Sequence, residues 1–204
     1  MKKIILSMVS IMALSTNSYA GGDRELIDVI PIEIPKTDTN YYIGLGFSSM
    51  KLLDINSEEN FQATSVMISA GYKIYDFLSI EGRYSRSLKV DYFAPKGSTG
   101  DMSDYPSDFT NIGIYLKPSY TYNSISAYAL LGYGEVRLTN MPLNDVARAE
   151  QSFQWGLGLS YKINDSFSIF ADYVNLYQAK GFDYRSVNSD IRVDAITVGI
   201  TYNF

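Results

Sequence analysis

From Tyr41 to Phe204 the side chains alternate between apolar and small or polar in one run after another, and this period of two restricts the chain to β-structure. The last run shows it most plainly. Counting back from Phe204 in twos gives Tyr202, Ile200, Val198 and Ile196, and the other phase is Asn203, Thr201, Gly199, Thr197 and Ala195. Eight such runs are expected as strands: 41–48, 64–74, 78–85, 111–120, 125–134, 152–163, 167–174 and 195–204. Most match the nine to eleven or so residues with which a tilted strand crosses the hydrocarbon layer. Three connections are tight, at 75–77, 122–124 and 164–166, whereas those at roughly 49–62, 87–109, 135–151 and 175–192 are several times longer. Tight and long connections in alternation describe an eight-stranded antiparallel up-and-down transmembrane β-barrel, all-β, with turns on one side and loops on the other. One hairpin is echoed: the stretch from Tyr72 to Ile80 is repeated in pattern from Tyr161 to Ile169.

Charge decides which face meets lipid. A lysine or arginine facing lipid at the bilayer midplane costs about 2–4 kcal/mol. The apolar phase carries no charge until the outer rim, at Arg86, Glu135 and Asp194, while the opposite phase holds Lys73, Glu81, Arg83, Lys117, Lys162 and Asp172. A soluble barrel would reverse the two faces. Aromatics in the apolar phase form two girdles, with Tyr41, Tyr72, Tyr120 and Tyr161 near the turns and Phe47, Tyr84, Tyr133 and Trp155 near the loops.

Eight strands leave room inside only for side chains. Inward glycines such as Gly71, Gly113, Gly158 and Gly199 make space for Tyr42, Tyr115, Tyr128 and Phe170. Glu81, Arg83 and Asp172 are expected at similar heights, with the three lysines nearer the turns, and together they suggest an interior ion-pair network.

Across roughly residues 40–204 this pattern resembles the OmpA/OmpX-like group of small outer-membrane barrels. The resemblance implies a place in the bacterial outer membrane, contact with outer-membrane lipid and lipopolysaccharide, and insertion by the barrel-assembly machinery. It makes Thr197, Gly199, Tyr202 and Phe204 the assembly signal of the last strand. Unlike OmpA proper, the sequence stops with the barrel, so no peptidoglycan-binding domain is expected.

Residues 1–20 read as a secretory signal: Lys2 and Lys3, an apolar run from Ile4 to Leu14, then Ser18-Tyr19-Ala20. That run is too short to span a membrane as a helix. Residues 21–40, with Pro31 and Pro35, read as an extended periplasmic leader. Of 17 basic and 22 acidic residues, removal of Lys2 and Lys3 leaves 15 minus 22, a net charge of −7. Such a protein lacks the basic footprint that nucleic acid requires. The chain has no cysteine, and no cofactor or metal is expected.

There is no histidine either, which rules out Ser-His or Asp-His catalysis and argues against an enzyme. Recognition is then expected in the long loops. Tyr92, Phe93 and Tyr105 in loop 2, and Phe182, Tyr184 and Arg185 in loop 4, pair exposed aromatics with charges that suit an extracellular protein or glycan. A structural or surface-interaction role with a filled interior is the leading expectation. An adhesin acting through loops 2 and 4, and a narrow ion channel, are the alternatives.

Overall fold

A computed structural model of the protein describes residues 40–54, 60–93, 108–139, 148–180 and 190–204. The expected secretory signal and nearly all of the leader lie outside the described residues. Eight antiparallel strands close into a barrel: β1 Tyr41–Asp54, β2 Asn60–Tyr75, β3 Leu78–Phe93, β4 Asp108–Tyr122, β5 Ile125–Thr139, β6 Arg148–Lys162, β7 Phe167–Lys180 and β8 Asp190–Asn203. Each pairs with its sequence neighbours, and β8 returns to β1 through Tyr42 opposite Asn203 and Asp54 opposite Ile191. Closure removes the open edges that a sheet in lipid cannot tolerate.

The turns are built from their own polar groups. Asn123 takes a positive φ of 54°, a conformation that asparagine tolerates. Asn164 Oδ1 accepts hydrogen bonds from the backbone N–H groups of Ser166 and Phe167, which tightens the β6–β7 turn. At the same end Phe204 N–H donates to the carbonyl of Tyr41, so the last residue is held in the ring.

Outward side chains match the apolar phase: Phe47, Ile114, Leu157 and Val198 are 61%, 64%, 61% and 55% exposed. Both expected girdles point out as well, and Tyr202 packs against Phe167 and Phe204 with ring centroids 5.1 and 5.0 Å apart.

The strands are longer than the sequence pattern suggests, 14 to 16 residues each, and the extra length lies at the loop end. Segments expected as loop, such as 49–54, 87–93, 135–139 and 175–180, continue the ladder. The physical reason is an inversion of polarity at constant period. Below the rim the outward phase is apolar, but above it Lys51, Arg137 and Arg192 face out while Met50, Leu52, Val136, Leu138, Ile191 and Val193 are buried inside. At about 3.3 Å per residue and a tilt near 40°, a 14-residue strand rises about 35 Å, roughly 10 Å more than the apolar band of such a barrel. Two bulges lie in this upper section. Register slips by one residue at Leu88 in β3 and at Leu176 in β7, so Val90 and Tyr177 turn toward the interior.

Candidate functional site in the barrel interior

The inward phase carries a charge cluster at mid-height, and cross-strand register explains how it forms. Tyr42 of β1 lies opposite Gly71 of β2, and Gly71 lies opposite Glu81 of β3. A Cβ on Gly71 would fall 2.1 Å from Cζ of Tyr42, so only glycine lets the ring cross that strand. The phenol then donates to Oε2 of Glu81 at 2.6 Å. Half the ring away the same row recurs: Tyr128 of β5 crosses Gly158 of β6 and donates to Oδ2 of Asp172 in β7 at 2.8 Å.

Arg83 joins the two rows across the lumen. Its Nε donates to Glu81 at 2.6 Å and a terminal nitrogen donates to Asp172 at 2.7 Å. Lys117 completes the set, 2.7 Å from Glu81, with its ammonium 4.3 Å from the ring centre of Tyr128 and 5.2 Å from that of Tyr42. Two carboxylates and two cations sum to zero, as burial of the group demands. Arg83, Glu81 and Asp172 have side chains 5%, 1% and 0% exposed, so removing any one leaves a buried, uncompensated charge. Oδ1 of Asp172 is buried without a protein hydrogen-bond partner among the described residues.

Above the cluster is an amide layer, in which Tyr115 donates to Gln154 and Gln154 donates to Asn111 at 2.9 Å. Ser48 and Thr197 hydroxyls meet at 2.8 Å. Higher still is the apolar group of Met50, Leu52, Val136, Leu138, Ile191 and Val193, each 0–1% exposed. Below the cluster the lumen is polar and holds the remaining two interior lysines, Lys73 and Lys162, at the turn end, where Lys162 pairs with Asp165 at 2.9 Å.

Of the expected assembly-signal residues, Thr197 and Gly199 face in, the latter against Phe170, while Tyr202 and Phe204 form the outer stack with Phe167. Tyr92 and Phe93, expected in loop 2, instead end β3 opposite Phe61 and Asn60, because the ladder outlasts the membrane. Tyr105, Phe182, Tyr184 and Arg185 lie outside the described residues. Sequence reasoning missed Tyr42 and Tyr128 as hydrogen-bond donors to the two carboxylates. The available signal was a lone tyrosine facing inward with a glycine on the neighbouring strand.

The outward rim carries exposed ion pairs, Arg86 with Asp108 at 2.8 Å, Arg137 with Glu135 at 2.7 Å and Arg192 with Asp194 at 2.7 Å. They sit where the outward phase of β3, β5 and β8 stops being apolar.

The family described as outer membrane protein beta-barrel domain matches residues 6–204. Solved structures of the same fold include Neisserial surface protein A, at 17% identity and a TM-score of 0.61, with 81% of this chain and 98% of that one covered. The attachment invasion locus protein of Yersinia pestis, Ail, is 17% identical with a TM-score of 0.53 over 82% of this chain and 99% of that one. The outer membrane protein OprG of Pseudomonas aeruginosa is 13% identical with a TM-score of 0.56 over 82% and 97%. No curated protein matches the sequence significantly.

Proposed function

The chain belongs to the outer membrane protein β-barrel domain family of the bacterial outer membrane, and from that membership we propose that it is a closed, non-conducting barrel with a structural and surface-interaction role. The observation that carries this reading is the apolar stopper at the loop end of the lumen, with the amide layer and then the Arg83 cluster beneath it. Ions crossing the lumen would have to separate a pair of buried salt bridges and then pass an apolar layer, each step unfavourable in a medium of low dielectric. The absence of histidine weighs against a hydrolytic or lipid-modifying activity. Planar-bilayer recording of the purified protein tests this: baseline current at both polarities supports the closed barrel, and stable single-channel steps overturn it.

Surface interaction draws support from the strands that rise beyond the bilayer, which make a stiff platform below the loops. One of the solved structures of similar fold is that of a protein named for attachment and invasion, and by that analogy of fold alone an adhesin is the sharper form of this role. Deleting residues 94–106 from the folded protein and measuring binding to a panel of matrix proteins and glycans tests it. Loss of binding with an intact barrel supports the adhesin; no binding by the complete protein leaves the structural role.

A further inference from the structure

Both echoed hairpins carry a Lys-x-x-Asp-x-x-Ser spacing, which the sequence also holds at 51–57 and 180–186. Lys73, Asp76 and Ser79 span the β2–β3 turn, and Lys162, Asp165 and Ser168 span the β6–β7 turn. In both hairpins register sets the lysine opposite the serine. The two lie half the ring apart, and all six residues line one polar cavity of about 300 Å³ at the turn end of the lumen. Its inner wall includes Lys117 and Tyr128, the underside of the charge cluster, and further hydroxyls come from Ser119, Thr121, Ser126 and Thr201. Ammonium groups therefore come from three alternate strands, β2, β4 and β6, into a space otherwise lined mostly by hydroxyl groups.

We propose that this vestibule binds small anions, carboxylate or phosphate in class, held between Lys73 and Lys162 with the hydroxyls completing the shell. Lys162 and Asp165 form an ion pair whose side chains are 53% and 75% exposed. Exposed pairs of this kind contribute only about 0–1 kcal/mol, so an incoming anion displaces the aspartate at little cost. Hydrogen bonds from a cation to an anion are roughly twice as strong as neutral ones, and the cavity supplies both kinds. Asp165 then acts as a resident competitor that keeps Lys162 placed when no solute is present.

The test is NMR titration of the complete protein, refolded in micelles, with succinate, with inorganic phosphate and with glycerol as the uncharged control. Saturable shifts of the Lys73, Ser79, Lys162 and Ser168 amide signals are expected with an anion and not with glycerol. Response to succinate alone assigns the site to carboxylates, and to phosphate alone assigns it to phosphates. The Lys73→Gln/Lys162→Gln variant should bind about tenfold or more weakly, the loss expected for charge-assisted hydrogen bonds. Asp165→Asn should bind more tightly, because it removes the competitor. Hairpins in which lysine and aspartate merely shape the turn would show no such gain. Absence of saturable shifts with both anions, unchanged affinity in the lysine variant, or no tightening in the aspartate variant overturns the proposal.

Discussion

Tyr128 reaches across Gly158 on the adjacent strand and donates to Asp172 one strand farther on, at 2.8 Å. A Cβ at position 158 would fall 2.4 Å from Cζ of Tyr128, so the ring must move and the hydrogen bond to a buried carboxylate is lost. Gly158→Ala is expected to cost about 1.5–3 kcal/mol, the range for hydrogen bonds to charged groups. Urea unfolding of the protein in lipid vesicles measures it. Gly71→Ala should behave alike through Tyr42 and Glu81, and Gly82→Ala, whose added Cβ meets only a backbone oxygen at 3.9 Å, should be nearly neutral.

Among the described residues Arg83 alone pairs with the carboxylates of both Tyr-Gly-carboxylate rows. Arg83→Met leaves Asp172 without a cation and Glu81 with Lys117 alone, and a loss of about 3–5 kcal/mol is expected. Replacing Glu81, Arg83, Lys117 and Asp172 together by apolar residues of similar volume should recover much of that loss. Equilibrium unfolding of the single and quadruple variants in the same vesicles checks both halves.

In the proposed closed barrel the apolar layer and the charge cluster obstruct the lumen in series. Leu52→Ala/Leu138→Ala should therefore remain silent in planar bilayers, although each truncation costs about 2–5 kcal/mol of stability. Adding Arg83→Ala should produce brief openings. Conductance from the double variant by itself would mean that the cluster does not obstruct ions.

Spin labels placed along β5 should report the change of solvent. Leu131 and Tyr133, 45% and 59% exposed, should be accessible to oxygen dissolved in the hydrocarbon, and Arg137, two rows above Tyr133, to a water-soluble relaxation agent. On the inner face Gly158 should meet neither freely, because the Tyr128 ring covers it. Leu157→Arg, set on the lipid face, should cost about 2–4 kcal/mol if it lies near the midplane.

The membrane-embedded region of the fold was legible because lipid imposes one rule on every strand: outward positions from Ile43 to Phe47, or from Leu157 to Tyr161, stay apolar. Strand ends were misjudged because the cue was that outward phase, which stops at Arg86 and Glu135, while the hydrogen-bonded ladder continues with Met50, Val136 and Ile191 now inside. The interior acids and Arg83 stood out as charges in an otherwise small and polar phase. The roles of Tyr42 and Tyr128 depend on which glycine each tyrosine faces, a matter of register between strands that a period of two within one strand does not contain.

Inversion of polarity along β1, β5 and β8 gives the two ends of the barrel different thermodynamics. The buried side chains at the loop end shelter from water, so exposing them raises the heat capacity and their contribution fades on cooling. The lower wall trades contact with acyl chains for contact with acyl chains, an exchange with little such temperature dependence so long as the chain stays in the bilayer. Near freezing, the extracellular third should loosen first, fraying downward toward a hydrocarbon-embedded ring that remains shut.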